Sequence, residues 1–140
     1  MIFASGFEQW RACSQRQQYE EDFVSMGRAL RQMSRPDDVV MLEPVGIIPY
    51  VAHRVPIDEC GLLTPWVAER RRLGDGWRTD IIDQWKPQFL VFRYRELLGI
   101  EFSGVGRAWR SPEERDRIMA DYEEVARGVY TQLALFRRRT

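Results

Sequence analysis

The sequence predicts an α/β domain of three layers: a short, mostly parallel sheet with helices on both faces and a C-terminal antiparallel hairpin. Three observations predict it. Val39-Val40-Met41-Leu42 and Phe89-Leu90-Val91-Phe92 are short apolar runs without polar alternation, as expected of strands buried on both faces of a parallel sheet. Segments with helical spacing and helix-end residues separate these runs, which is the alternation that builds βαβ units. Residues 122–126 and 129–136 flank Arg127-Gly128 and read as a closing hairpin. The right-handed crossover rule then distributes helices over both faces of the sheet.

The elements follow in order. Tyr19, Phe23, Met26, Leu30 and Met33 fall at spacings of 4, 3, 4 and 3 and predict a helix over 17–34, with one apolar stripe toward a core. Glu20, Glu21 and Asp22 are expected in its first turns, where the positive helix end favours acids. Pro36 stops the helix by disfavouring α geometry at Arg35. After the first strand, Val45 to Ala52 reads as a turn and a short helix with Gly46 at the bend. Arg54 to Asp58 reads as a second strand, placed at or near an edge because Pro56 cannot donate to a ladder. Thr64-Pro65 starts a helix that runs to about Leu73 and ends at Gly74. Trp77 to Trp85 is helical, and Lys86-Pro87 leads into the third strand. Residues 94–110 read as a loop with one helical turn, and Ser111-Pro112-Glu113-Glu114 opens the last helix.

A chain of 140 residues suits one domain. We place it at 17–140, with residues 1–16 as a lead segment. Lys+Arg and Asp+Glu both count 21, so no overall field favours nucleic acid or an anionic membrane. No apolar stretch is long enough to span a bilayer, and Met1 to Phe7 does not read as a signal peptide. Cys13 and Cys60 have no CxxC partner, and His53 is the only histidine, so no metal site is expected. Gly46 stands alone without a GxGxxG pattern, so no nicotinamide, flavin or methyl-donor cofactor is expected. Lys86 is the only lysine. The runs Arg70-Arg71-Arg72 and Arg137-Arg138-Arg139 read as solvated ends rather than anion sites. Trp85 reads as core, whereas Trp77 and Trp109, beside glycine-containing loops, are the candidates for an exposed, ligand-facing role.

The candidate site spans Glu43 to Leu62. In a parallel sheet the carboxyl ends of the first two strands converge, and ligands of open α/β sheets bind there. Glu43, Gly46, Tyr50, His53, Asp58 and Gly61 would then share one pocket mouth. A hydrogen bond from Tyr50 or His53 to Asp58 or Glu43 is expected. The same residues could instead form a polar latch, with Asp58 capping the Gly61 turn and Glu43 pairing with an arginine.

An ordered set of short motifs runs through this region. It comprises Pro36, Asp38 and Val39; Glu43, Gly46 and Tyr50; Asp58, Gly61, Leu62 and Pro65; and Lys86, Pro87 and Val91. In order and spacing it resembles the soluble extracytoplasmic C-terminal region of polyprenyl-phosphate-sugar-dependent membrane glycosyltransferases of the GT-C class, the mannosyl- and arabinofuranosyltransferase-like proteins. The resemblance covers roughly residues 15 to 95. It implies a non-catalytic domain that binds an acceptor or plays a structural part, since the catalytic acid of that class lies beside membrane helices that this sequence lacks. The implied partners are a glycan or lipid-linked acceptor and the membrane half of a parent enzyme. The implied location is the extracytoplasmic face of the membrane; a chain standing alone would be cytoplasmic. Two alternatives stay open: a small hydrolase or transferase using Asp58, Glu43 and His53, and an interaction module docking through the arginine-rich helix at 65–73.

Overall fold

The computed structural model describes the backbone of residues 3–97 and 106–140. Helix α1 covers Phe3–Met33, strand β1 Val40–Leu42, helix α2 Ile47–Ala52, strand β2 Pro56–Asp58, and helices α3 and α4 Pro65–Arg72 and Trp77–Trp85. Strand β3 covers Phe89–Arg93, the short helix α5 Tyr94–Leu97, helix α6 Pro112–Met119, and strands β4 and β5 Tyr122–Arg127 and Leu133–Arg138. The expected loop over 94–110 thus contributes one helical turn, and its part at 98–105 lies outside the described residues.

The five strands form one sheet in the order β2-β1-β3-β5-β4. β1 pairs in parallel with β2 on one side and β3 on the other, placing Val40 beside both Pro56 and Phe89. β5 runs antiparallel to β3, and β4 closes the far edge antiparallel to β5, with a register shift between Glu124 and Ala126. Pro56 sits on the edge strand, as its missing N–H requires.

The pleat sends alternate residues to opposite faces. Val40, Leu42, Phe89, Val91, Leu133 and Leu135 pack with Met26 and Leu30 of α1 and Ile48 and Ala52 of α2. Met41, Leu90, Phe92, Ala134 and Phe136 pack with Val67 of α3, Ile81 and Ile82 of α4 and Ile118 of α6. Helices therefore cover both faces, and the three-layer α/β architecture is the observed one.

Helix α1 differs from its expected extent. It begins at Phe3 and runs 31 residues without a break at position 16, about 46 Å at 1.5 Å per residue. Glu20, Glu21 and Asp22 consequently lie in mid-helix rather than in a first turn, and the dipole argument does not apply to them. Of the apolar stripe, Met26 and Leu30 are buried while Tyr19 and Met33 remain exposed. At Gly27 a Cβ would stand 2.8 Å from Val51 Cβ and 2.9 Å from the Ile48 carbonyl, so the glycine lets α2 lie directly on α1. Arg54 joins the ends of the two helices, donating to the carbonyls of Ser34 at 2.7 Å and His53 at 3.0 Å.

Candidate functional site

The carboxyl ends of β1 and β2 do converge, because the strands are parallel and Leu42 stands beside Asp58. Glu43 and Asp58 both bear electrostatically on Cys60. Burial, followed by these two carboxylates, raises the Cys60 thiol above its usual range, which keeps it protonated and a poor nucleophile.

Asp58 is fully buried. Its carboxylate accepts the backbone N–H groups of Cys60 at 2.8 Å and Leu63 at 2.7 Å. Its own N–H donates to Thr64 Oγ1 at 3.0 Å, and its carbonyl accepts from the Gly61 N–H at 3.0 Å. Asp58 thus organises the turn over 59–64, as the latch reading expects. Thr64 occupies the N-cap of α3, but its hydroxyl serves Asp58 instead of the helix. Gly61 is required twice over. Its φ is +83°, and a Cβ there would come within 2.6 Å of the Ala68 nitrogen.

Glu43 pairs with Arg93 at the end of β3. The hydrogen bond expected from Tyr50 or His53 to these carboxylates is replaced by those of Cys60, Leu63 and Arg93. Tyr50 is 83% exposed. His53 is exposed at the C-cap of α2 with φ 55°; its N–H donates to the Tyr50 carbonyl at 3.2 Å and its carbonyl accepts from Arg54. Gly46 has φ −85° and open space where a Cβ would stand, so no steric demand selects glycine there. The structure therefore joins Asp58 and Gly61 in one turn and brings Glu43 to Arg93, while Tyr50 and His53 face solvent.

A buried ionic cluster beside this turn escaped the sequence reading. Glu59 forms an ion pair with Arg78, both almost fully buried. The Arg78 guanidinium lies 4.9 Å from the centroid of Trp77, 4.7 Å from Phe92 and 5.3 Å from Trp109, distances at which a cation is attracted to ring faces. Arg71 donates to the Glu59 carbonyl at 2.9 Å and stacks on Trp77 at 4.6 Å. Trp77 and Trp109 are thus core residues, which corrects their expected exposure, and Trp77 Nε1 donates to the Gly106 carbonyl at 2.8 Å. Trp85 is instead half exposed on the last turn of α4, because Trp77, Arg78, Ile81 and Ile82 form the buried face. Arg78 precedes Ile81 and Ile82 by three and four positions, and that spacing places it on the apolar stripe. This was the available signal.

The arginine run on α3 is likewise turned inward in part. Arg70 pairs with Asp80 and donates to the Asp75 carbonyl at 3.2 Å, and Arg71 serves Glu59. Two of the three guanidinium groups are thus committed to contacts within the fold. Among the described residues, no three His, Cys, Asp or Glu side chains are grouped to hold a metal ion, and no helix is long and apolar enough to cross a membrane.

Fold and site define a mixed α/β domain with a β2-β1-β3 parallel half, whose conspicuous carboxylates hold chain segments together. The chain belongs to the family described as domain of unknown function DUF8728, whose model matches residues 8–138. No curated protein and no solved structure matches it.

Proposed function

We propose that this chain is a non-catalytic domain of a polyprenyl-phosphate-sugar-dependent membrane glycosyltransferase, acting on the acceptor side or bracing the enzyme at the extracytoplasmic face. One observation carries the reading. Of the ordered motifs, Asp58 and Glu43 are engaged in holding the chain and Val91 is buried in the core, whereas Tyr50 and Leu62 are 83% and 79% exposed. Val55 and Leu63 are exposed as well. Residues that do not serve the core, and that leave apolar surface in water, suit contact with another part of a larger assembly. The stand-alone hydrolase reading lacks the same support, because Asp58 already accepts two backbone amides.

The test is transfer of a labelled sugar from its polyprenyl phosphate donor to acceptor, with release of the polyprenyl phosphate, in membranes containing the full protein. A Tyr50→Asp/Leu62→Asp variant is expected to lower transfer while the purified chain keeps its wild-type melting temperature. The reading is overturned if the purified chain alone turns over ester, phosphate or glycoside substrates and loses that turnover in a folded Asp58→Asn variant.

A further inference from the structure

The connections from β1 lead to β2 on one side, and the chain then returns to place β3 on the other. The crevice outside the carboxyl ends of β1 and β3 is therefore the topological switch point, where open α/β sheets admit ligands. The Glu43–Arg93 pair stands there. Beside it opens a cleft of about 520 Å³, walled by α1, the end of β3 and the β4–β5 connection. Tyr19 and Phe23 line it from α1, Arg93 and Arg95 from the end of β3, and Tyr130 and Gln132 from the hairpin connection.

We propose that this cleft binds a phosphorylated sugar. Arg93 and Arg95 supply planar guanidinium groups, which recognise phosphate bidentately. Arg93 is already partly neutralised by Glu43, so the exposed Arg95 is the stronger anion contact. Tyr19 and Tyr130 are 50% and 52% exposed on two elements far apart in sequence, and line the same space. Half-exposed rings with polar tips suit the apolar face of a sugar ring, and the phenol groups and the Gln132 amide suit its hydroxyls. The walls are set in advance: Asp22 on α1 accepts the N–H groups of Val129 and Tyr130, and the Tyr94 N–H donates to the Gln132 carbonyl at 2.9 Å. A site ordered before binding loses less entropy on binding. The inference holds whether or not the chain serves a membrane transferase, because it concerns binding by the chain alone.

The experiment is calorimetric titration of the purified chain with hexose and pentose 1-phosphates, inorganic phosphate and a neutral methyl glycoside. Saturable binding of a sugar phosphate is expected. Arg95→Ala should weaken it about ten-fold, and Tyr130→Ala about five-fold, with melting temperatures unchanged. Inorganic phosphate binding as tightly as every sugar phosphate overturns the role of the rings. The neutral glycoside binding equally well overturns the role of the arginines. Absence of binding by any sugar phosphate up to about 10 mM, or binding indifferent to both substitutions, overturns the site. None of these outcomes bears on sugar transfer in membranes, so the two readings fail separately.

Discussion

Asp22 Oδ2, in the middle of α1, accepts the backbone N–H of Tyr130 at 2.8 Å across 108 positions of sequence. The second carboxylate oxygen takes the N–H of Val129 at 2.9 Å. One buried side chain thus fastens the hairpin connection to the first helix. Gly128 makes room for it, since a Cβ there would lie 2.6 Å from Asp22 Oδ2.

Asp22→Ala is expected to cost about 1–2 kcal/mol, because the part-buried amides of Val129, Tyr130 and Thr131 lose a charged acceptor; urea denaturation measures it. Burial pushes the Asp22 carboxyl up, but hydrogen bonds from Thr131, Tyr130 and Val129 outweigh it and hold the group below its ordinary value of 3.8. A lowered folded-state pKa means that the contribution is complete above the unfolded value and is lost as pH falls through the folded one. The chain should therefore lose stability below about pH 4, and Asp22→Asn should flatten that part of the profile.

Asp58→Ala is expected to lower stability by about 1–3 kcal/mol, since the Cys60 and Leu63 amides lose their acceptor. An unchanged denaturation midpoint would remove Asp58 from the latch and return it to the ligand-binding candidates.

Breaking the buried Glu59–Arg78 pair should be among the costliest single changes. Arg78→Met leaves the Glu59 carboxylate buried without its cation, for about 3–5 kcal/mol. Glu59→Leu/Arg78→Met should recover most of that loss, and a double-mutant cycle reads the coupling.

Tyr122 gives the alkaline limb. Its hydroxyl donates to the Pro87 carbonyl at 2.8 Å, and burial pushes its pKa from 10.0 up to about 12. For a raised pKa the contribution is complete below the unfolded value and is lost as pH climbs through the folded one. Stability should fall between pH 10.0 and about 12. Tyr122→Phe should remove this slope at a cost near neutrality of about 1 kcal/mol.

Local chemistry marked most of the elements, although α1 starts at Phe3 rather than at 17 and β5 at Leu133 rather than at 129. Val39 to Leu42 and Phe89 to Phe92 could be read as strands because burial on both faces demands an unbroken apolar run, and Pro56 marked the edge because it lacks a donor. Ser111 predicted the start of α6, where its hydroxyl accepts the Glu114 N–H at 3.2 Å. The turn at Asp58 and Gly61 was legible for the same reason, since both partners lie within a few residues. Tertiary structure decided the rest. Asp22 looked like a helix-end acid until the hairpin arrived 108 positions later. Arg78 and Trp109 meet only because α4 and the segment before α6 pack on one face of the sheet. Spacing along a chain determines which side of an element a residue occupies. Which distant charge, ring or amide that side encounters is determined by how the crossovers stack the layers, and this is why Asp22, Arg78 and the cleft at Arg95 belong to the fold rather than to any motif.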